Sequence, residues 1–387
     1  MKTLVLIAFT FWFTSLMVMA QGFEVQTCNE APDLYASAKI SELQSILDQL
    51  THNKVPGAVA AIWDESGYWE ISSGYSKIEG QVPMQTCHLH YIQSITKTYM
   101  AVSILQLSEE GKIALDEPFI HYLPSNLTDG IPNSDKITVR MLLNHTSGIR
   151  EYNDDPTYVT RLLQNPNRIF QPEEYLDYIR GKKPDFEPGS KYSYRNTNYL
   201  ILALIAEKIT GNHKAYMKEK IFKPLGLKNT FYRIEQGDSY GDKLVNSYWD
   251  RYSNSILENV SVLQNSNVVS MIGDDGTITT PKEAVIFLKG FIEGKLLSES
   301  SMEMMQEWVL NRDGKPVYGL GLNTTLFQGF EGIGHSGGGL GSGSQLYYFP
   351  KKDLYIFLAV NMGTVTQSPI HKEVEKILDE VYRVILN

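Results

Sequence analysis

Strand-length apolar runs gather towards the two ends of this chain, and that placement constrains its fold more than any other feature. Near the start, Gly57 to Trp63 and Tyr68 to Ile71 are apolar and separated by Asp64-Glu65-Ser66-Gly67, a turn-forming stretch that predicts a hairpin. The second group comes late: Tyr318 to Leu322, Ser344 to Phe349 and Leu354 to Val360 alternate as strands do. Each group has an amphipathic helix on its outer side, Asp33 to Leu50 before the first and Ile370 to Ile385 after the second. Two such helices lying together on one antiparallel sheet make an α/β (α+β) sandwich, and whatever separates the strand groups becomes an insert.

The middle has the texture of an insert, rich in Asn, Asp, Pro and Tyr. Helical spacing appears at Val139 to Leu143, Glu173 to Arg180, Tyr199 to Ile209 and His213 to Ile221. Outside it, helices are predicted from Ser94 to Glu110, stopped by Gly111, from Pro281 to Glu293 and from Ser298 to Val309. The reading is one domain over 33–387, with sandwich parts at about 33–117 and 265–387 and a mainly helical subdomain at about 118–264.

A chain of 387 residues, 42% hydrophobic and 20% charged, can bury a large core. A net charge of -9 with no basic stripe excludes a nucleic-acid surface. Residues 1–20 read as a signal peptide: Lys2, an apolar stretch from Leu4 to Met17, then Val18-Met19-Ala20 before Gln21. No later run has the length of a membrane span, so a periplasmic or secreted protein without a stable span is expected. Cys28 and Cys87 can form a disulfide in an exported protein or remain two buried thiols. Oligomeric state is not written in the sequence.

Chemistry enters at Ser94-Ile95-Thr96-Lys97. On a helix, residues three apart share a face, which brings the Lys97 amine to the Ser94 hydroxyl. A serine needs a base to become a nucleophile, and a desolvated lysine can lose its proton and serve. Alone, the four residues fit a capped helix with an exposed lysine better than a catalytic pair. Tyr194-Arg195-Asn196 leads directly into a helix; a phenol near a lysine can relay a proton, and an asparagine amide can orient both lysine and substrate. Gly334-His335-Ser336-Gly337-Gly338-Gly339 offers glycines that admit a close substrate, or simply a flexible loop.

Taken together and in this order, the three segments resemble the penicillin-recognising serine hydrolases, which include class C β-lactamases, D-Ala-D-Ala carboxypeptidases, esterases and D-amino-acid peptidases. Leu142-Leu143-Asn144-His145-Thr146-Ser147-Gly148, Glu187-Pro188-Gly189 and Tyr318-Gly319-Leu320-Gly321 extend the resemblance over most of the chain. It implies a β-lactamase/transpeptidase-like fold, Ser94 as the acylated nucleophile, Lys97 as its partner in proton abstraction and Tyr194 as base and relay. It further implies that Asn196, His335, Ser336 and Gly337 contact substrate and that the N–H groups of Ser94 and Gly338 form an oxyanion hole. No cofactor or metal is implied; the partner is a small-molecule or peptide substrate. Class C β-lactamases carry lysine where His335 stands, which favours a carboxypeptidase-like peptidase or an esterase over a β-lactamase. A slowly turning-over penicillin-binding or sensor protein is the reading of another class.

Two other motifs compete. Gly334 to Gly338 also fits the Gly-x-Ser-x-Gly elbow, with Ser336 as nucleophile, but no helix follows it. His88-Leu89-His90 lacks the further ligands that a metal site needs.

Overall fold

The computed structural model describes residues 38–234, 240 and 243–387. The signal segment and Cys28 lie outside the described residues; Cys87 is disulfide-bonded.

The two groups of apolar runs meet in one sheet. Its strands are β1 (Gly57–Asp64), β2 (Gly67–Lys77), β3 (Val82–Pro83), β4 (Val309–Leu310), β5 (Pro316–Tyr318), β6 (Asn323–Phe327), β7 (Phe330–Gly338), β8 (Gly343–Phe349) and β9 (Leu354–Val360). Their order is β3-β2-β1-β9-β8-β7-β6-β5-β4, every neighbouring pair antiparallel. The seam between the early and late parts of the chain is β1 against β9, from Ala58 opposite Val360 to Trp63 opposite Tyr355. Successive side chains on a strand alternate faces, so Ala58, Ala60, Ile62, Ile356, Leu358 and Val360 enter one core while Val59, Ala61, Phe357 and Ala359 enter another. Burial on both faces is why these strands read as continuous apolar runs.

Helices α1 (Ala38–His52) and α5 (Pro369–Leu386) pack together on the first face, as the sandwich pattern predicts. Ser368 caps α5 by accepting the His371 N–H, with Pro369 in the first turn. The other face carries α2 (Thr96–Glu109), α3 (Asn196–Thr210) and α4 (Pro281–Ile292). Residues Thr96 to Leu107 of α2 are all buried, so this helix has no solvent stripe and delivers its side chains into protein. Among the described residues no helix is long and apolar enough to cross a membrane.

Several elements depart from the sequence reading. Ser94 stands on a 3-10 turn, Gln93–Ile95, just ahead of α2. The helix expected from Ser298 to Val309 ends at Met305, and Val309 joins the sheet edge. The run Tyr318 to Leu322 leaves the sheet after Tyr318, turning at Gly321 with φ +78, where a Cβ would stand 2.3 Å from Ala101 on α2. The middle of the chain is not helical throughout: Phe231–Tyr232 pairs with Thr277–Thr279, which on its other side pairs with His90–Tyr91, in a small sheet that leads into the Ser94 turn. From Gly334 to Gly338 the glycine-rich segment lies within β7 and is not a loop.

Candidate active site

The Ser94 turn is clamped from two sides. Gln93 adopts a left-handed φ of +51, and its amide donates to Ser342 Oγ at 2.6 Å. The Ile92 carbonyl accepts from Ser344 Oγ at 2.9 Å. Gly337 is pressed onto the same turn, and a Cβ on it would lie 2.2 Å from the Ile92 carbonyl oxygen. Backbone cannot yield as a flexible side chain can. Gly337→Ala is therefore expected to displace the Ser94 turn, lowering stability by about 1–3 kcal/mol and turnover with it. Thermal melting and steady-state kinetics of the variant check both, and wild-type values for the two would refute the clamp.

Beneath Ser94, the fully buried Lys97 has its three donors placed on three acceptors. Nζ lies 2.8 Å from Ser94 Oγ, 2.8 Å from Asn196 Oδ1 and 2.8 Å from the Asp274 carbonyl. Burial pulls the Lys97 amine down to about 8, opposed by the charges of Asp274, Asp275 and Glu151. Nζ also stands 4.9 Å from the ring centre of Tyr194.

Asn196 is the first residue of α3, and Tyr194 stands two residues before it, next to the cap residue Arg195. Burial raises the Tyr194 phenol well above its ordinary range, and a hydrogen bond with Ser94 pulls the other way. The ring rests on His145, with centroids 4.4 Å apart; His145 in turn accepts the Arg195 N–H at Nδ1, 3.2 Å away.

His335 is buried on β7. Its Nδ1 stands 2.6 Å from the Ser336 carbonyl, an acceptor only, so Nδ1 carries the proton and Nε2 accepts from the Tyr318 hydroxyl at 2.9 Å. Burial first, then the nearby charge of Lys97, push the imidazole down to about 3. The group is neutral at physiological pH.

These segments converge on a cleft of about 380 Å³. Of the residues singled out in the sequence, Ser94, Tyr194, Asn196, His335, Ser336 and Gly338 line it, and Lys97 lies beneath Ser94. Gly337 does not line it; that position is packed against the Ile92 carbonyl and Gln93 of the Ser94 turn. Ser336 sits inside β7 opposite Gln345, which is not the strand-to-helix elbow its motif suggested. Tyr192, Tyr318 and Asn323 complete the wall. Sequence reasoning missed Asn323, Glu151, Asp274 and Asp275. For the last two, the adjacent acidic pair was the available signal.

Relatives share this architecture. The D-amino acid amidase of Ochrobactrum anthropi superposes with a TM-score of 0.78 at 23% identity, covering 91% of this chain and 99% of that one. A D-stereospecific amidohydrolase of Streptomyces superposes at 0.72 with 29% identity, covering 84% and 94%. Penicillin-binding protein 4* of Bacillus subtilis is 27% identical over 356 residues, 88% of this chain and 76% of that protein. A putative D-alanyl-D-alanine carboxypeptidase of Escherichia coli is 29% identical over 160 residues, which is 40% of this chain and 36% of that protein. The family model named beta-lactamase matches residues 43–374. A serine-lysine pair in a cleft of this fold and a family match spanning nearly all the described residues lead to one conclusion: the chain belongs to the beta-lactamase family and is a serine hydrolase of that fold.

Proposed function

We propose that this enzyme hydrolyses D-amino-acid amides, esters or small peptides through an acyl-enzyme on Ser94. The observation that carries the assignment is the 2.8 Å contact between Lys97 Nζ and Ser94 Oγ, with the lysine desolvated enough to titrate near 8. In the first half-reaction the Lys97–Tyr194 pair takes the Ser94 proton, Oγ attacks the substrate carbonyl carbon, and the oxyanion accepts from the N–H groups of Ser94 and Gly338. The carbon–leaving-group bond breaks as the pair returns the proton to the departing amine or alcohol. Water then attacks the Ser94 ester by the same route, releasing the acid and restoring the serine. The Ser94 hydroxyl is within reach of both the Lys97 amine and the Tyr194 phenol, so the proton is shared by the pair. The Asn196 amide donates to the substrate carbonyl on the acyl side.

Substrate class follows from charge. The cleft lining carries no lysine or arginine among the described residues, and His335 is neutral, so a substrate carboxylate finds no fixed cation at the cleft wall. That favours amides and esters over a carboxyl-terminated peptide or a β-lactam, in keeping with the name of the Streptomyces relative. Export through residues 1–20 belongs to the same reading, supported by the disulfide at Cys87.

Steady-state turnover of a D-amino-acid p-nitroanilide, its L enantiomer, a chromogenic ester, an acyl-D-Ala-D-Ala peptide and a chromogenic cephalosporin tests the proposal. The D-anilide and ester are expected to lead. A cephalosporin turned over faster than both would make the enzyme a β-lactamase, and a persistent adduct without turnover would make it a binder.

A further inference from the structure

Glu151 follows the Leu142 to Gly148 segment and is buried, yet no motif reading gave it a task. Its Oε2 accepts the main-chain N–H of Asn196, the opening residue of α3. Its Oε1 accepts from the Asn153 N–H at 3.3 Å and from Thr197 Oγ1 at 3.4 Å. The residue at the cap position of α3, Arg195, makes no side-chain cap of its own. A helix leaves its first N–H groups without partners, and a carboxylate at that end is favoured by both hydrogen bonding and the helix dipole. Glu151 therefore caps α3 from a different part of the chain. The residue it fixes is the one whose Oδ1 holds Lys97 at 2.8 Å.

Resting on the function proposed above, we infer that Glu151 is a positioning residue of the reaction: it locks the first turn of α3, so that Asn196 orients Lys97, and supplies an anion that Lys97 faces. Burial pushes Glu151 up to about 7, with the Asn196 and Asn153 N–H groups opposing, so the carboxylate changes charge in the range where the enzyme works. The other titratable groups facing Lys97 are Asp274 and Asp275 ahead of Thr277, Tyr194 and Tyr199 at α3, His145, and His335 on β7. A substitution confined to Glu151 leaves all of these in place.

E151Q keeps an oxygen to accept from the Asn196 N–H and removes the charge, whereas E151A removes both. The full-length protein with ¹³Cε-labelled lysine is titrated by NMR, and K97M identifies the Lys97 signal. In E151Q the Lys97 titration is expected to move down by about one pH unit, because losing a nearby anion disfavours the ammonium. The acid limb of kcat/KM on the chromogenic ester should follow it, with KM within about twofold of wild type, since the cap remains. E151A should show the same shift together with a raised KM. A Lys97 titration unmoved in E151Q would overturn the inference, and E151Q alone decides if E151A fails to fold. A wild-type protein that turns over none of the substrates would instead refute the proposed function, while the NMR shift would still report on Glu151.

Discussion

Ser94→Ala is expected to reduce kcat/KM for a chromogenic ester by about 10⁴-fold or more, with the fold intact, because removing the nucleophile of an acyl-transfer unit costs about as much as removing the unit. The substitution only deletes an oxygen and so demands no new space, and Lys97 keeps two of its three acceptors, Asn196 and the Asp274 carbonyl. Ser336→Ala is the control. Ser336 also lines the cleft, yet it lies within β7, and the neighbouring His335 ring is committed to Tyr318 and to the Ser336 carbonyl. Its loss should change kcat/KM by less than about tenfold. Intact mass of each variant mixed with ester gives an independent readout, since an acyl adduct should form on S336A and not on S94A. The opposite pattern, activity retained in S94A and lost in S336A, would move the nucleophile to β7.

The second large effect belongs to Lys97. Lys97→Met should lower turnover by about 10³–10⁴-fold through loss of the base. In the wild type the base must be unprotonated, so activity should climb as pH rises through about 8, the position to which burial brings the amine. K97M should lose that limb. Its stability should also acquire a distinctive pH dependence. Burial raises Asp274 to about 6, Asp275 to about 7 and Glu151 to about 7, while Lys97 counters the rise in each. A carboxyl whose folded pKa exceeds its unfolded value stabilises the fold at low pH, and that contribution fades as pH rises through the folded value. Without the lysine these groups hold their protons to higher pH, and ionising them becomes more costly. K97M should therefore be at least as stable as the wild type near pH 5, where the buried ammonium has no ionised partner, and lose about 3 kcal/mol relative to it by neutrality. Melting curves across that range test this, and a constant difference would mean that the lysine and the carboxyls are not coupled.

What could be read from the sequence depended on how far apart the interacting residues are. Leu354 to Val360 and Pro281 to Ile292 were legible almost to the residue, because burial of a whole strand or helix face writes a long periodic pattern. His90–Tyr91 and Phe231–Tyr232 were not, since two residues carry no period, and their pairing depends on Thr277–Thr279 far along the chain. Ser298 to Val309 was read as one helix although its end is a strand, because Val309 and Leu310 continue the apolar spacing while their partners, Pro316 and Tyr318, set the conformation. The site divides in the same way. Ser94, Lys97, Tyr194, Asn196 and His335 stand in short motifs whose residue types already suggest chemistry. Glu151 becomes meaningful only through the Asn196 N–H, and the neutrality of His335 only through its burial against Tyr318. Gly337 was assigned to substrate through the His-x-Gly resemblance, although its contact with the Ile92 carbonyl, which no local motif shows, sets it against the Ser94 turn.

The two outer helices, α1 and α5, cover the sheet face that the Ser94 turn does not use. Attachment of the enzyme to a bead, an electrode or a second protein through either helix would thus leave the cleft directed at the bulk solution. Catalytic throughput in such an immobilised format should depend on the density of loading and not on which of the two helices is the anchor.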